Sequence, residues 1–297
     1  MSLNIALVTN SSKRHKHFVV ELNKKLNVKC VLIVSPKPKS KKSKIIKRFK
    51  RYGSIWFTLK VLSSIYKKWN KASYENLLRQ SEKLFFGSSV REFELIKKHQ
   101  IETVNNQKSI DLILNNQIDV ICFLGGDIAK KDFIESAKIT CLNIHSGLSP
   151  FYNGSSSASW TFSDFRPNFC GVTLMRMNER VDGGDIISHY LPEITSEDDA
   201  STLFCKGIKG GIELILDEIE NINNGTPSVG IIQSRSFKYT RGMDWTIYHD
   251  LKLKHFHDSG KIKLYKRNKM KFNYNNISDK DFPFSKTLSF ILNTTEI

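Results

Sequence analysis

The amino-acid sequence predicts an α/β fold, in which a Rossmann-like, mostly parallel sheet carries helices on both faces and a small C-terminal appendage follows. First, short apolar runs of strand length alternate with stretches of helical periodicity. Second, 297 residues, of which 40% are hydrophobic, can bury one large core. Third, this periodicity weakens in the last part of the chain. We therefore expect a large domain over residues 1–225, with a basic helical insertion at about 37–91, and a small extension over 226–297.

The predicted elements follow the order of a doubly wound sheet. The chain opens with an apolar run at 3–10, a helix to about residue 26 and a second apolar run at 30–34, which together form a β-α-β unit. After the insertion, helices and strands alternate at 90–99, 101–104, 109–116, 119–124, 132–137 and 139–145. Two further strands are predicted at 171–177 and 185–191. Ser196 is the predicted N-cap of a long helix whose buried face is Leu203, Ile208, Ile212, Ile215 and Ile219.

The net charge of +17 is unevenly distributed along the chain. Residues 37–72 contain thirteen Lys or Arg residues and no acidic residue. Such a segment attracts nucleic acid, an anionic membrane surface or a phosphorylated substrate, although we favour a solvated helical face. Apolar residues at helical spacing in the same segment are expected to join the core or a dimer contact rather than a membrane anchor. They are Ile55, Trp56, Leu59, Leu62, Ile65, Tyr66 and Trp69.

Composition disfavours several classes of protein. No apolar run reaches the ~18 residues of a membrane span, and the N-terminus lacks the pattern of a secretory signal, so we expect a cytoplasmic protein. The five cysteines lie singly in apolar stretches, which predicts reduced core residues rather than a zinc or redox pair. His255, His257 and Asp258 form only a weak metal pattern, because no further residue of ligand spacing accompanies them. We therefore predict no metal.

Three polar residues carry the candidate chemistry. Asn143 and His145 lie in the strand predicted at 139–145, and because side chains alternate along a strand, both point to the same side. Ligands of open α/β sheets bind at such strand ends. Asp182 lies 37 residues beyond His145 and precedes Gly183 and Gly184, which we expect to allow a sharp turn. An amide, an imidazole and a carboxylate are the groups needed to move an acyl unit onto an amine.

The combined pattern resembles the folate-dependent formyltransferases, and among them most closely the sugar N-formyltransferases. The segments that carry this resemblance are Asn143-x-His145-Ser146, Leu148-x-Pro150, Gly154, Gly171-Val172-Thr173 and Val-Asp-Gly-Gly-Asp-Ile-Ile at 181–187. The likeness is strongest over about 119–192. Two segments depart from the family pattern. Residues 146–150 read Ser-Gly-Leu-Ser-Pro where Ser-Leu-Leu-Pro is common, and the loop at 9–12 lacks the glycines that hold phosphate in the ribonucleotide enzyme.

The resemblance implies formyl transfer from 10-formyltetrahydrofolate, with Asn143, His145 and Asp182 as the catalytic residues. Asn143 would donate its amide N–H to the developing oxyanion, and such a donor is worth about 3 kcal/mol. Protonated His145 would share this role or protonate the departing nitrogen. Asp182 would orient His145, keep it protonated and accept the proton of the amine.

The resemblance also implies where the two substrates bind. The pterin is expected against the segment that follows a buried strand, comprising Phe123, Leu124, Gly125, Gly126, Asp127 and Ile128. For the acceptor we expect aromatic rings stacked on a base and an Arg paired with phosphate. The residues predicted for this side are Asn10, Ser11, Ser12, Tyr239, Arg241 and Trp245.

The sequence leaves more than one acceptor, and more than one class of function, open. A nucleotide-linked amino sugar is favoured, because a formyltransferase core with a short tail resembles the sugar enzymes and positive charge suits a pyrophosphate. The alternative is initiator methionyl-tRNA, which a strongly basic protein would also suit. A hydrolase that releases formate from the folate, and a non-catalytic binding module, are the remaining hypotheses. A homodimer is a further expectation.

Overall fold

The computed structural model describes residues 2–36, 41–71, 73–233, 236–274 and 284–293, with the backbone alone at 41–48 and 50. The ten strands are β1 Ile5–Thr9, β2 Val28–Val34, β3 His99–Ile101, β4 Val120–Leu124, β5 Thr140–His145, β6 Tyr152–Gly154, β7 Val172–Arg176, β8 Asp185–Leu191, β9 Lys238–Thr240 and β10 Met270–Asn273. The ten α-helices are α1 Lys13–Lys25, α2 Lys41–Trp69, α3 Tyr74–Phe86, α4 Ser89–Leu95, α5 Gln107–Asn115, α6 Lys131–Ile134, α7 Ser157–Ser163, α8 Ala200–Asn223, α9 Ile247–Asp258 and α10 Ser285–Leu292.

Eight of the described strands form one sheet in the order β10-β8-β7-β5-β4-β1-β2-β3. Strands β1 to β5 pair in parallel, whereas β7 is antiparallel to both of its neighbours and β10 is antiparallel to β8. Successive residues of β1 pack on opposite faces, Ile5 and Leu7 in one hydrophobic core and Ala6 and Val8 in the other. The predicted Rossmann-like sheet, mostly parallel and covered on both faces, is therefore confirmed.

Helix α8 packs closely against the sheet beneath the candidate site. A Cβ atom at Gly211 would lie 2.7 Å from the side chain of Ile144, and one at Gly210 would lie 2.1 Å from the ring of Tyr190. Glycine at these two positions therefore allows α8 to approach strands β5 and β8 closely. The five residues predicted for the buried face of this helix are all buried, which confirms that prediction.

The start of α8 differs from the prediction. Asp199, not Ser196, is its N-cap, and the Asp199 carboxylate accepts hydrogen bonds from the backbone N–H groups of Ser201 and Thr202. The Thr202 hydroxyl in turn accepts from the N–H of Asp199, which completes a capping box. The acidic run at 197–199 offered more than one capping residue, and the box formed at the position where both hydrogen bonds close.

Residues beyond 226 contribute directly to the main fold. Strand β10 pairs with β8 at the edge of the large sheet, and β9 pairs in parallel with β6. Arg267 is buried, and its guanidinium donates to the carbonyl oxygens of Asn168, Cys170 and Pro192. Burial lowers the pKa of Arg267 to about 10. The described part of this segment thus completes the sheet edge, while the domain boundary at 225 stays a prediction.

Helix α2 belongs to the predicted insertion and is interrupted at Gly53, whose φ of 79° is left-handed. It packs against α9 and the residues just before it. The Ser63 hydroxyl donates to the Asp250 carboxylate on α9, and the indole N–H of Trp56 donates to the carbonyl of Met243, four residues before that helix. The apolar residues of this helix were expected in the core or in a dimer contact. Four of them do not join the core, because they are exposed on the opposite side of the helix, and a dimer contact stays a prediction: Ile55, Leu62, Ile65 and Trp69.

The cysteines and the helices of the described residues can be compared with what the composition predicted. The five cysteines, Cys30, Cys122, Cys141, Cys170 and Cys205, are free and buried, as predicted. Within the described residues, no helix has the length and apolar character that crossing a bilayer requires.

Candidate active site

The end of β5 brings His145 into contact with the loop between β7 and β8. Nδ1 of His145 lies 3.2 Å from Oδ1 of Asp182, and Nε2 lies 3.2 Å from the carbonyl oxygen of Tyr152. His145 is almost completely buried. Both ring nitrogens therefore face oxygen acceptors, and only the protonated imidazolium can donate from both nitrogens at once.

The charges of the pair favour the same protonation state. Burial opposes a charge on His145, but the Asp182 carboxylate, its hydrogen bond and the Tyr152 carbonyl outweigh burial and raise the pKa of His145. Burial likewise opposes the charge on Asp182, but His145 and the N–H of Gly154 lower the pKa of that carboxyl. The two groups form an ion pair in a largely buried setting, which agrees with the predicted role of Asp182 in keeping His145 protonated.

The backbone holds the Asp182 carboxylate in place. Asp182 itself has a left-handed φ of 50°, so the residue that turns the chain is Asp182 rather than either following glycine. Its Oδ2 accepts from the N–H of Gly154 at 3.0 Å. Its carbonyl accepts from the side-chain amides of Asn153 at 3.2 Å and Gln233 at 3.0 Å. The strain of the turn is thus offset by hydrogen bonds from β6 and from the segment before β9.

Glycine at 184 has a steric reason. A Cβ atom there would lie 1.8 Å from the carbonyl oxygen of Arg176, which no side chain can tolerate. Gly147 is similarly constrained, because a Cβ atom would lie 2.6 Å from Nε2 of His145 and 2.4 Å from the carbonyl oxygen of Tyr152. These two glycines let the backbone close around the His145–Asp182 pair.

Two cavities meet at the candidate residues. The first, about 210 Å³, lies between the loop after β4 and the loop after β7, and we call it the loop-side cavity. The second, about 290 Å³, lies between α1, α3, α8 and the end of β5, and we call it the helix-side cavity. Gly125, Asn143 and Asp182 line both cavities. His145 lines the helix-side cavity.

Asn143 lies at the junction with its amide available. Among the residues that the structure describes, no hydrogen bond engages the Asn143 side chain, although the residue is partly buried. Asn143 and His145 are two residues apart on β5, so their side chains leave the same face, as the alternation predicted. A free amide N–H beside an imidazolium is an arrangement that can stabilise a developing oxyanion.

All but one of the residues predicted to contact the pterin line the loop-side cavity. Phe123, Gly125, Gly126, Asp127 and Ile128 line the loop-side cavity, together with Val181 from the opposite loop. Leu124 instead lines the helix-side cavity. Exposed side chains of Ile128 and Val181 give this cavity apolar walls, and Gly125 and Gly126 have the positive φ values of 69° and 100° that favour glycine. Apolar walls and accessible backbone groups suit a flat heterocyclic ring.

The sequence analysis did not single out His15 and Arg14, which also line the helix-side cavity. Nδ1 of His15 lies 2.6 Å from the Thr9 hydroxyl and 2.9 Å from the carbonyl of Leu124. Burial, followed by the charge of Arg14, lowers the pKa of His15 to about 3, so this ring is neutral at pH 7. Because the Thr9 hydroxyl donates to the same Leu124 carbonyl, the His15 proton belongs on Nδ1 and Nε2 is an acceptor. No motif signals such a residue, since its role depends on tertiary packing alone.

The residues predicted for the acceptor side are not brought together. Asn10 lines the helix-side cavity, whereas Ser11 and Ser12 precede α1 and do not line it. Tyr239 is half-exposed on β9, opposite Asn153, and Arg241 is paired with Asp244 on the surface. These positions lie outside the two cavities.

Trp245 corrects the prediction for the acceptor side. It is buried, its ring packs edge-on against Trp160, and its indole N–H donates to Asp250 at 2.7 Å. A residue that is enclosed and hydrogen-bonded in this way packs in the core and has no face for a base to stack on. The cause is helix α9, which the sequence pattern did not reveal and which covers the ring.

Over the described ranges, no group of three or more His, Cys, Asp or Glu side chains is placed to hold a metal ion. His255 and His257 lie on α9, where Asp258 is ion-paired with Lys254.

Comparison with known protein families gives a match over most of the chain. A model of the family described as formyl transferase matches residues 3–218. A methionyl-tRNA formyltransferase of Caldicellulosiruptor saccharolyticus is 31% identical over 123 residues, which are 41% of this chain and 39% of that protein. A bifunctional polymyxin resistance protein, ArnA, of Wigglesworthia glossinidia brevipalpis is 35% identical over 132 residues, which are 42% of this chain and 20% of that protein. The matches thus span well under half the length of either relative.

Comparison with solved structures supports the same fold. A sugar N-formyltransferase from Shewanella sp. FDAARGOS_354 superimposes with a TM-score of 0.52 and covers 94% of this chain and 99% of its own. The two sequences are only 13% identical, so this likeness concerns the fold alone.

Proposed function

The chain belongs to the formyl transferase family, and from that premise we propose that it moves a formyl group from 10-formyltetrahydrofolate to the amine of a nucleotide-linked amino sugar. One observation carries the proposal. Asn143 and the His145–Asp182 ion pair lie where the two cavities meet. A transfer between two substrates needs its catalytic groups at such a junction, with one substrate on each side.

We assign the loop-side cavity to the pterin ring of the formyl donor. The apolar side chains of Ile128 and Val181 and the glycines at 125 and 126 would hold a pterin ring, and the donor supplies the one-carbon unit when bound. The acceptor would then enter from the helix-side cavity, past Asn10, Arg14 and His15. Its amine would reach the formyl carbon beside Asn143.

Each catalytic residue has a role that its surroundings support. The Asn143 amide would donate to the carbonyl oxygen as it becomes negative, and a single donor of this kind is worth about 3 kcal/mol. His145, kept positively charged by Asp182, would add its charge to that stabilisation or, once its Nε2–H leaves the Tyr152 carbonyl, supply a proton to the departing nitrogen. The Asp182 carboxylate would accept the proton that the attacking amine loses. Proton gain at the leaving group and proton loss at the amine then balance over one turnover.

A nucleotide-sugar acceptor is supported by a positive charge on the helix-side cavity. Arg14 lines this cavity and would place a cation near the phosphates of a carrier nucleotide.

Initiator methionyl-tRNA is the second candidate, favoured by one observation. Residues 37–72 carry thirteen basic residues and no acid, and a segment of that composition binds the phosphate backbone of a nucleic acid. The 31% identity to a methionyl-tRNA formyltransferase extends over 123 residues, 39% of that protein, and does not distinguish the acceptors.

The test is a panel of nucleotide-linked amino sugars and charged initiator tRNA, each incubated with the protein and 10-formyltetrahydrofolate. We expect a formamide product, identified by mass spectrometry, on one or more of the sugars. The His145→Asn variant is the control for catalysis at this site. Formylation of tRNA alone, with affinity that falls steeply as salt is added, would replace the sugar with the tRNA acceptor. Formate release at equal rates with and without any amine would indicate a hydrolase instead.

A further inference from the structure

The outer side of α2 carries apolar residues that the catalytic site does not use. At about 100° per residue, Ile55, Leu62, Ile65 and Trp69 fall within an arc of about 80°. Their exposed fractions are 79%, 46%, 51% and 79%. We call these four residues the α2 apolar stripe. The opposite side of the same helix packs on α9, so the stripe faces away from the molecule. An aligned and exposed apolar surface of this kind marks a contact site.

The stripe belongs to a basic segment of the chain. Residues 37–72, which include all of α2, contain thirteen Lys or Arg residues and no acidic residue. Arg51, Lys68 and Lys71 are exposed near the two ends of the stripe. The occupant of this surface must therefore combine negative charge with an apolar region.

We propose that the α2 apolar stripe inserts into the interface of an anionic membrane, with the neighbouring Lys and Arg residues on the lipid headgroups. A helix with a basic surround, a Trp and aliphatic residues on one side is typical of helices that lie in the plane of the bilayer interface. Trp69 lies at the end of α2, and its ring suits the headgroup level, where indole rings concentrate.

Charge and chemistry separate this partner from two others. A second copy of the chain would bring a second strongly basic segment against the first, and like charges repel. A nucleic acid would satisfy the charge, but its phosphates and bases leave aliphatic side chains such as Ile55, Leu62 and Ile65 without an apolar partner. An anionic bilayer satisfies both requirements.

The experiment uses the full chain with vesicles of phosphatidylcholine alone or mixed with phosphatidylglycerol, and measures bound protein by co-sedimentation. We expect binding to the anionic vesicles only, weakened by added salt. The double variant Leu62→Gln, Trp69→Gln should lower the partition coefficient by about tenfold or more, because it removes apolar surface that enters the interface. The double variant Leu84→Gln, Leu95→Gln is the matched control, since these leucines are 82% and 89% exposed on α3 and at the end of α4.

Several outcomes would overturn the proposal. One is equal vesicle binding by the stripe variant and the wild type, because charge alone would then explain adsorption. Another is a loss of vesicle binding in the control variant that is as large as the loss in the stripe variant. Tighter binding to a tRNA mixture than to anionic vesicles, unaffected by the stripe variant, would assign the surface to nucleic acid. A dimer in sedimentation that dissociates in the stripe variant would assign it to a second copy. Far-ultraviolet circular dichroism checks that each variant is folded, and formyl transfer by the stripe variant keeps this result separate from the proposed activity.

Discussion

Replacement of Asp182 by Asn removes a charge while nearly preserving the shape of the side chain. The carboxylate lies 3.2 Å from Nδ1 of His145, and at an effective dielectric constant of about 20 such an ion pair is worth on the order of 5 kcal/mol before desolvation. Burial opposes protonation of His145, and the charge of Asp182 is the largest effect that outweighs it. In Asp182→Asn we therefore expect the pKa of His145 to fall below its ordinary value of 6.5, so that the ring is neutral at pH 7.

The assay is the initial rate of formyl transfer as a function of pH, with kcat and KM determined separately. In the wild type we expect kcat to decline only as the pH rises through the raised pKa of His145. In the variant this decline should move below pH 6.5, and kcat at pH 7 should fall on the order of 10²–10⁴-fold. KM for the folate should change little. Asp185→Asn, a neighbouring carboxylate that lines neither cavity, is the control and should keep the wild-type kcat. A wild-type rate in Asp182→Asn, or an unshifted pH profile, refutes the role of the ion pair.

Three further predictions concern the support of the site. Gly184→Ala should lower the free energy of unfolding in urea by at least about 1–3 kcal/mol, because its Cβ would lie 1.8 Å from a carbonyl oxygen, whereas Gly242→Ala, with its nearest atom at 3.6 Å, should be neutral. Gln233→Ala should lower kcat by up to about 10²-fold with little change in folate KM, because the Gly184 carbonyl loses its bond from Gln233 and the Asp182 carbonyl keeps only its side-chain donor Asn153; an unchanged kcat would show that the turn holds without Gln233. His15 and His189, both buried with pKa values lowered to about 3, should make stability fall as the pH drops below 6.5, by up to about 1.4 kcal/mol per pH unit each, because only the unfolded state takes up those protons. Unfolding at pH 7 and pH 5 measures this slope. His15→Asn should show a shallower slope than the wild type, and an unchanged slope would contradict the prediction.

The sheet and the common face of Asn143 and His145 could be predicted because their signals are local. Apolar runs of strand length located β1, β4, β5, β7 and β8, since a strand that is buried on both faces of the sheet needs nearly continuous apolar side chains, whatever its direction. The alternation of side chains along β5 was enough to place Asn143 and His145 on one face. The partnership with Asp182 depended on the resemblance to a family, because no periodicity connects a strand end with a loop 37 residues away.

Other features depend on contacts that the sequence does not encode locally. Strands β6 and β9 have three residues each, too few to show a period. The neutral state of His15 arises from burial against β4, and the burial of Trp245 arises from α9 and Asp250. In α2, apolar residues occur around the whole helix, so spacing alone could not decide which side would be covered.

The hydrogen bonds from Gln233 to the Asp182 turn constrain the design of chimeric enzymes. A crossover at residue 225 would take the Asp182 turn from one parent and the Gln233 amide that supports it from the other. The hydrogen bond between them would then join residues that come from different parents. A crossover after β9 would transplant Asp182, Asn153, Gln233 and the β6–β9 pair as one inherited unit. Exchange of acceptor preference between relatives should therefore tolerate junctions beyond residue 240 better than junctions at the end of α8.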